Sequence, residues 1–428
     1  MNKKKILILV GVLVVGVLLK TSLGIAQEKY KGITLKVLCQ GETPYTPSIQ
    51  EFGKEFEKTT GAKILFELHP WETLMPKIIT DVMGGAGQFD IFVNDIEFQY
   101  SLEPYLMPLE EYIEKYDYDM EGFFEPVYKY GVWSPKGVRY GLPIWIASPY
   151  VMYRTDLLEE SGLSEFPNTW EEYHKFLAAH TGGDMYGLSR TGVLGELPKH
   201  FFAHYWSGGK PLLSPDWKPL VNSEHGVWSF ETIKMEMENF MPPGALSWDK
   251  PDSAAAFLSG HAAVYEGWPH IVIRKVDNPL ESEVVGKWAL APGYPEGGTG
   301  NLVHQNFVIM SATDNPEAAF RFIAYCTGPA NAARLLERGA TTPRKNFYFR
   351  PEVLAANPWL PNAARTIDKG IPFLPGVPQW LEMFIAVGEQ VSGYLSGEIS
   401  TAKAAADGLA AKWEKSIVSD PLSFKYKE

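Results

Sequence analysis

The chain has 428 residues, more than a single hydrophobic core usually serves, so its length predicts two lobes. Hydrophobic residues make up 45% of the chain and charged residues 21%, the ordinary balance of a globular protein. A net charge of −12 argues against nucleic acid and anionic membrane surfaces as partners. The two cysteines, Cys39 and Cys326, are too few for a disulfide framework; they either pair with each other or are two buried thiols.

Residues 1–26 have the features of a signal peptide. A basic start, Lys3-Lys4-Lys5, precedes the apolar run Ile6–Leu19, and Gly24-Ile25-Ala26 is a small-x-small cleavage site. The apolar run is shorter than the roughly 20 residues that span a bilayer. We therefore expect an exported protein, periplasmic or extracellular, that starts near Gln27. The alternative is an uncleaved leader that tethers the protein to the membrane.

The segment after the leader alternates between strand and helix patterns. Strands are predicted over Thr34–Gln40, Lys63–Leu68 and Phe89–Val93, with a helix over Ser48–Lys58 between the first two. A second helix ends at Gly84-Gly85, and its Pro76 is predicted in the first turn, where a missing N–H does little harm. This β-α-β-α-β order implies a parallel sheet with helices on both faces, an α/β fold.

Two loops of this segment are candidates for ligand contact, because open α/β sheets bind ligands beyond the carboxyl ends of their strands. The loop after the first strand carries Gln40, Glu42 and Tyr45. Asn94 and Asp95 follow the third strand, where an amide and an acid can hydrogen-bond a polar ligand. For Asp95 the competing role is to cap the following helix.

The stretch from residue 136 to residue 162 is predicted to cross between the two lobes. Val138–Trp145 and Tyr150–Arg154 have extended patterns, and Pro143 and Pro149 do not fit a central strand because proline lacks an N–H donor. A strand that breaks at proline and resumes in another sheet is what a crossover requires. Asp156 is predicted to cap the helix that follows.

The next segment contains helix signals and two weaker site candidates. Thr169 and Glu172 form a predicted capping box. Arg190 follows a short strand, so it either faces the cleft or forms a surface salt bridge. His200 and His204 lie four residues apart on a predicted helix, which leaves metal binding as one interpretation. No third ligand is evident, and two histidines that pack on a helix are the competing interpretation.

Ala255–Trp268 is predicted to form a helix, a tight turn at Gly260, a strand and then a tryptophan. Three residues at the end of this strand, Glu266, Gly267 and Trp268, are candidate ligand contacts. Gly267 would let a ligand approach the backbone closely.

A second crossover is predicted at the glycine-rich loop Gly293–Gly300, after a strand over Lys287–Pro292. No Gly-Lys-Ser/Thr follows the glycines, so a phosphate-binding P-loop is rejected. Asn301 and His304 precede a predicted strand over Phe307–Met310 and are candidate site residues. A structural hydrogen bond is the competing role for His304.

Several segments, in the same order, resemble the maltose-binding-like extracellular solute-binding proteins of bacterial ABC importers. The matching segments are Glu55–Gly61, Phe89–Phe92, Gly141-Leu142-Pro143, Tyr153–Leu157, Phe257–Trp268, Asn315–Ile323 and, with altered spacing, Gly339–Arg344. Val264 replaces the methionine usual in the family, and no residue separates Gly267 from Trp268. The resemblance covers nearly the whole chain after the leader.

The resemblance implies a two-lobe periplasmic-binding-protein fold of type II, with a ligand cleft between hinged lobes. The crossovers near residues 145–150, 290–293 and 340–343 divide the chain into lobe I, 27–145 and 293–340, and lobe II, 146–292 and 341–428. The resemblance implies that Trp268 stacks on a sugar. Arg344 is expected to reach the cleft, and Trp380 to add a further contact.

The predicted function is capture of a sugar, oligosaccharide or polyol, without a cofactor, and delivery to the permease subunits of an ABC importer. The protein is expected to be a monomer. Flat aromatic faces and fixed polar groups suit a sugar. The candidates are Tyr45, Trp145, Trp268 and Trp380 for the faces, and Gln40, Glu42, Asn94, Asp95 and Arg344 for the rim. The alternative from another class is an exported glycoside hydrolase with two carboxylates about 5–10 Å apart.

Overall fold

The computed structural model describes residues 29–41, 43–85, 87–96, 102–128, 137–372 and 379–417. Within these ranges the chain forms an α/β structure with two sheets. The predicted signal peptide and Glu42 lie outside the described residues.

The strands of the described residues are β1 Thr34–Gln40, β2 Lys63–His69, β3 Ile91–Asp95, β4 Gly141–Ala147, β5 Tyr150–Arg154, β6 Tyr186–Arg190, β7 Ala262–Gly267, β8 Trp288–Leu290, β9 Asn301–Ile309 and β10 Ile371–Pro372.

The α-helices of the described residues are α1 Thr46–Thr60, α2 Trp71–Met83, α3 Glu110–Lys115, α4 Thr155–Glu160, α5 Trp170–Ala179, α6 Leu197–Ser207, α7 Glu224–Phe240, α8 Lys250–Leu258, α9 Pro269–Val272, α10 Pro316–Thr327, α11 Pro329–Glu337, α12 Pro351–Ala356, α13 Leu360–Lys369, α14 Trp380–Ser396 and α15 Ala402–Ile417. None of the helices in these described ranges is long and apolar enough to cross a membrane.

The first sheet has the strand order β10-β9-β3-β1-β2. β4 also pairs with β9, along Val303–Val308, a stretch that pairs with β3 from Gln305 onward. β1 runs parallel to β2 and β3, as the β-α-β-α-β pattern predicted. β9 is antiparallel to both β3 and β4. Strand β1 buries Leu35, Val37 and Cys39, and this alternation places one face of the strand against the core that helix α1 also enters.

The second sheet has the order β6-β7-β5-β8, with β6 parallel to β7 and the other pairs antiparallel. The chain changes sheet between Ala147 and Tyr150 and returns between Leu290 and Asn301. These changes fall in the predicted crossover regions. β10 pairs with β9 in the first sheet, so no change of sheet coincides with the third predicted boundary. The division into lobes by residue number remains a prediction.

Two prolines and one helix cap differ from the prediction. Pro143 lies inside β4, but the pairing with β9 shifts between Pro143 and Trp145, so this position is irregular. The prediction for Pro76 was wrong: helix α2 begins at Trp71, which places Pro76 in the helix interior. Asp156 is not the N-cap either, since the helix begins one residue earlier and Asp156 binds Arg154 at 2.6 Å.

Side-chain caps set the start of helices α5 and α8. The side chain of Thr169 accepts a hydrogen bond from the backbone N–H of Glu172, which confirms Thr169 as the cap of α5. This bond is one half of the predicted capping box. A complete capping box forms at α8, where Asp249 and Asp252 each bind the backbone N–H of the other. This cap fixes the first turn of α8, which carries Lys250.

The core is built on both sheets, and the C-terminal helices belong to it. α14 and α15 pack on each other and on α6 and α7 of the second sheet's side. Cys39 and Cys326 are buried, free thiols in the core of the first sheet. Of the two alternatives for the cysteines, the structure therefore has the buried thiols.

Candidate ligand-binding cleft

A cleft with an internal volume of about 150 Å³ lies between the two sheets. Its lining residues come from strand ends and helix starts on both sides of the cleft and from α14. They are Gln40, Thr43, Pro44, Trp71, Asp95, Trp145, Gly195, Glu196, Lys199, Lys250, Trp268, His270, Asn301, Val303, Gln305, Trp380 and Phe384. The cleft therefore lies at the edge of the first sheet that the strand-end rule predicted.

A chain of hydrogen bonds fixes the amide groups on the first-sheet wall. Tyr45, fully buried, donates its hydroxyl to Gln305 Oε1, and Gln305 Nε2 donates to Gln40 Oε1 at 3.1 Å. Gln305 lies in the middle of β9, and Gln40 is the last residue of β1. The two amides are therefore held in one orientation before any ligand arrives.

Asp95, the last residue of β3, is a buried acid on the same wall. The indole Nε1 of Trp71, at the start of α2, donates to Asp95 Oδ2 at 2.6 Å. Burial raises the pKa of Asp95 above its usual range, although the hydrogen bonds from Trp71 and Gln305 and the charge of Lys250 oppose this shift. This hydrogen bond places the indole ring of Trp71 beside the carboxyl group of Asp95 in the cleft wall.

Glu196 organises the opposite wall. Its carboxylate accepts from Lys199 at 2.5 Å, from Trp268 Nε1 at 3.0 Å and lies 3.1 Å from Lys250 Nζ. Burial alone would raise the pKa of Glu196, but the charges of Lys199 and Lys250 outweigh it and lower this pKa to about 2. The carboxylate stays ionised and fixes two ammonium groups and the indole ring.

Trp145 and Trp268 meet at the His270 ring between the two sheets. The ring centroids of Trp145 and His270 are 5.6 Å apart, edge to face, and those of Trp268 and His270 are 6.3 Å apart. Burial, followed by the charge of Lys250, lowers the pKa of His270 to about 3, so this imidazole is neutral at physiological pH.

A second direct bridge joins the two sides of the cleft. The Arg274 guanidinium, just after α9, donates to the backbone carbonyl of Pro44 at 2.7 Å. Trp380 and Phe384, one turn apart on α14 and with ring centroids 6.2 Å apart, line the same cleft from a third direction. The cleft is therefore bordered by aromatic rings on several sides.

Six of the residues proposed from sequence line this cleft: Gln40, Asp95, Trp145, Trp268, Asn301 and Trp380. They belong to β1, β3, β4 and β9, to the end of β7 and to the start of α14. Residues far apart in the chain thus meet in one place.

Other proposed residues are buried next to the cleft residues or adjoin them in sequence, but they do not line the cleft. Tyr45, Asn94 and His304 are fully buried and do not line the cleft. Gly267, the last residue of β7, pairs with Tyr150 and precedes the lining residue Trp268. Of these residues, Tyr45 holds a lining residue directly, because its hydroxyl donates to Gln305.

Arg190 and Glu266 are buried in the second-sheet core, away from the cleft lining. The Arg190 guanidinium binds Glu236 at 2.7 Å and Glu266 at 3.3 Å, and all three side chains are fully buried. Tyr173 also donates to Glu266, at 2.6 Å. Charges removed from water need partners, and this network supplies them. Arg190 is therefore neither a cleft residue nor a surface ion pair.

His200 and His204 join the same buried region. His204 binds the Glu236 carboxylate at 3.0 Å, and His200 Nε2 is 3.0 Å from the Thr191 carbonyl. Among the described residues, no group of three or more His, Cys, Asp or Glu side chains is placed to hold a metal ion.

Arg344 does not reach the cleft, contrary to the expectation from the family resemblance. Its side chain is 2% exposed and binds the Asp119 carboxylate at 3.2 Å and the Glu121 carbonyl at 3.0 Å. It also donates to the Thr327 carbonyl at 3.1 Å. The guanidinium of Arg344 therefore links the segment around residue 120 to the end of α10 through hydrogen bonds.

The sequence interpretation missed several residues that line the cleft: Trp71, Glu196, Lys199, Lys250, His270, Gln305 and Phe384. Trp71 could have been found, because it lies two residues beyond the carboxyl end of β2. Glu196, Lys199 and Lys250 carry no motif, and they meet only in the tertiary structure, where the Glu196 carboxylate binds both ammonium groups. Gln305 was missed because the strand was predicted to begin at Phe307, whereas β9 begins at Asn301 and includes Gln305.

Two sheets with a polar, aromatic-lined cleft between them match the type II fold of periplasmic-binding proteins. The chain belongs to the bacterial extracellular solute-binding protein family, whose model matches residues 41–333. The predicted family and fold class are thereby confirmed.

Three comparisons illustrate the range of similar proteins. A solute-binding protein of an Agrobacterium radiobacter ABC transporter, in complex with ribitol, shares 24% identity with a TM-score of 0.78, covering 91% of this chain and 100% of that one. Maltose-bound MalE3 of T. maritima shares 20% identity with a TM-score of 0.80, covering 90% and 100%. A curated relative of Sinorhizobium fredii, named a probable amino-acid ABC transporter periplasmic-binding protein, is 21% identical over 90% of both chains.

Proposed function

We propose that this protein is exported, captures a sugar or polyol in the cleft, and delivers it to the permease of an ABC importer. The observation that carries the proposal is the convergence of several tryptophan rings with fixed amide, carboxylate and ammonium groups in one cleft between two sheets. The export leader over residues 1–26 and a monomeric state are parts of the same proposal.

The chemistry of the cleft suits hydroxylated ligands. Sugars and polyols present C–H faces to aromatic rings and hydroxyls to hydrogen-bonding groups. Trp145 and Trp268 are the candidate stacking rings. The amide of Gln40 and the ammonium of Lys199, both held by neighbouring side chains, are candidate partners of the hydroxyls.

Transport follows from motion of the two lobes. Only a few residues at the crossovers near 147–150 and 290–301 need to change their backbone angles for the lobes to hinge. A ligand that contacts Asp95 on one side and Trp268 on the other binds the closed form more tightly, and this difference shifts the balance toward closure. The permease would then accept the closed, loaded form.

Binding without catalysis is part of the proposal, in contrast to the glycoside hydrolase alternative. Glu196, with a pKa of about 2 and three donors on its carboxylate, is a poor proton donor. The release of reducing ends from oligosaccharides by purified protein would support the hydrolase instead.

A ligand screen tests the proposal. Purified mature protein is titrated calorimetrically, and its thermal unfolding is followed, with a panel of polyols, monosaccharides, maltose, maltotriose and amino acids. We expect at least one hydroxylated ligand to bind with a saturable heat and to raise the melting temperature, because a ligand specific for the folded state stabilises it. Binding of amino acids alone would contradict the sugar or polyol proposal.

A further inference from the structure

We propose that the cleft is built for one neutral unit of roughly four to six carbons, a polyol or monosaccharide, and not for an oligosaccharide or a charged ligand. This inference rests on the proposed function and narrows it. Three independent features of the cleft point to it: the space between its walls, the balance of its charges and the placement of its polar atoms.

The first feature is size. The interior volume is about 150 Å³, below the roughly 300–1,000 Å³ of pockets that hold drug-sized molecules. A cavity of about 150 Å³ holds a ligand of benzene size in a protein core. A single small sugar or polyol is of that order, whereas a disaccharide carries about twice the bulk of its monosaccharide.

The walls that set this volume come close to each other. His270 contacts the rings of both Trp145 and Trp268, and Arg274 holds the Pro44 carbonyl at 2.7 Å. These contacts join the two sides of the cleft. The volume of about 150 Å³ therefore belongs to a cleft whose two walls are in contact with each other. Phe384 adds an aromatic wall that has no polar role.

The second feature is charge. Two ammonium groups, Lys199 and Lys250, line the cleft together with two acids, Asp95 and Glu196. Both lysines are engaged by the Glu196 carboxylate. The burial of His270 keeps its ring neutral. A ligand carboxylate would have to compete with Glu196 for its cations, which disfavours sugar acids and amino acids.

The third feature is the presence of unmatched polar atoms in the wall. Trp145 Nε1, His270 Nδ1 and Asn301 Oδ1 are buried and make no hydrogen bond to the described residues. The first is a donor and the last an acceptor. A hydroxyl both donates and accepts, so a polyhydroxylated ligand can satisfy such a mixed set as the walls adjust around it.

Isothermal calorimetry with a matched panel tests the inference. One group contains neutral single units: erythritol, ribitol, D-mannitol, D-glucitol and D-glucose. The other contains maltose, maltotriose, D-gluconate and L-glutamine. We expect the best neutral single unit to bind at least about ten-fold more tightly than every member of the second group, a difference of about 1.4 kcal/mol.

The failure of this inference can be told apart from the failure of the proposed function. Equal or tighter binding of maltose or maltotriose would overturn the size limit and leave a sugar-binding protein. Tighter binding of D-gluconate than of D-glucitol would overturn the charge argument. If no sugar or polyol binds while L-glutamine does, the proposed function itself fails, and the inference fails with it.

A pair of adjacent variants provides the structural control. Phe384→Ala enlarges the cleft without removing a polar group, whereas Ile385, the next residue on α14, has an exposed side chain. We expect Phe384→Ala to improve the affinity for maltose relative to the best single unit by about ten-fold, and Ile385→Ala to leave the ratio within about two-fold. An unchanged ratio in a folded Phe384→Ala protein would show that this wall does not limit ligand size.

Discussion

The indole Nε1 of Trp268 donates to Glu196 Oε2 over 3.0 Å, and the Lys199 ammonium binds the same oxygen at 2.5 Å. The Lys199 ammonium also lies 5.8 Å from the centre of the Trp268 ring. Trp268 lies at the end of β7 and Glu196 just before α6, so this contact joins two elements of the second sheet's side. The orientation of the candidate stacking ring therefore depends on an ionised carboxylate.

Glu196→Gln is expected to destabilise the fold and weaken ligand binding together. The substitution leaves the Lys199 ammonium, which is 3% exposed, without its anion. Removing one partner of a buried ion pair costs roughly 3–5 kcal/mol, and we expect a loss toward the lower end because Lys250 is partly exposed. Urea unfolding measures this loss.

A double-mutant cycle supplies the control for Glu196. Lys199→Met removes the unpaired charge, so the Glu196→Gln/Lys199→Met protein should be more stable than Glu196→Gln alone. Glu171→Gln, which breaks an exposed pair with Lys175, should stay within about 1 kcal/mol of the wild type. A double variant that is less stable than either single variant would contradict the pairing argument.

Trp268→Ala is expected to weaken binding of the best ligand by about ten- to one hundred-fold, or roughly 1.4–2.8 kcal/mol, while the protein stays folded. Trp268→Phe keeps an aromatic face and loses the bond to Glu196, so its loss should be smaller. The control is Trp288→Ala on β8, whose indole binds Asp277 away from the cleft. Calorimetry and circular dichroism measure affinity and folding; unchanged affinity in Trp268→Ala would make this tryptophan a packing residue.

The burial of His270 should appear in the pH dependence of stability. Its pKa in the folded protein is about 3, below the usual value near 6.5, so between these two values the unfolded chain binds a proton that the folded protein does not. Stability contributed by the neutral ring is complete above about pH 6.5 and declines as the pH falls toward 3, by about 1.4 kcal/mol per pH unit.

A substitution isolates this contribution. His270→Gln should have a shallower decline of unfolding free energy between pH 6.5 and pH 4 than the wild type, by about one proton. His261→Gln, at an exposed position, should follow the wild-type curve. Parallel curves for the wild type and His270→Gln would show that His270 becomes protonated without unfolding.

The crossovers predict closure around the ligand. We expect the radius of gyration from X-ray scattering to decrease when a ligand proven by calorimetry is saturating, since a ligand that contacts both lobes stabilises the closed form. Trp268→Ala, at a ligand concentration too low to load it, should retain the larger value. Identical scattering profiles with and without bound ligand would contradict hinge closure.

The leader predicts processing near Gln27. The basic start, the short apolar run and the Gly24-Ile25-Ala26 site are typical of a cleaved signal peptide. N-terminal sequencing of protein recovered from the exported fraction is expected to begin at or near Gln27. Recovery of Met1 or Lys3 would favour the tethered alternative.

The sequence predicted the elements better than the site, for a physical reason. Hydrophobic periodicity and caps are local, so β1, α1 and the helix–turn–strand around Gly260 agree with the structure to within a few residues. Asp95 was proposed from the end of a strand, and Trp268 from the family resemblance at the end of another. Glu196, Lys199 and Lys250 form a cluster only through tertiary packing, which leaves no local signal.

Three charged residues proposed for the site do not line the cleft, and they have a common explanation. Arg190 and Glu266 were proposed from their position at the end of a strand, and Arg344 from the family resemblance at a predicted crossover. In the structure they are buried in ion pairs within the protein, since a charge next to a strand end is equally suited to pair with a neighbouring element. Position along the chain does not distinguish these two uses of a charged side chain.

The position of β9 in the chain has a consequence for the order of assembly. β9 joins β3, β4 and β10 in the first sheet, yet it follows every strand of the second sheet in sequence. The second sheet is drawn from residues 150–290 alone, so all its strands are available before β9 has been synthesised. Pairing of β3 with β9 closes a loop of about 200 residues, and contacts of such long range form slowly. During synthesis, the second sheet should therefore form first, and the edges of β3 and β4 stay open for association until the chain has passed residue 309.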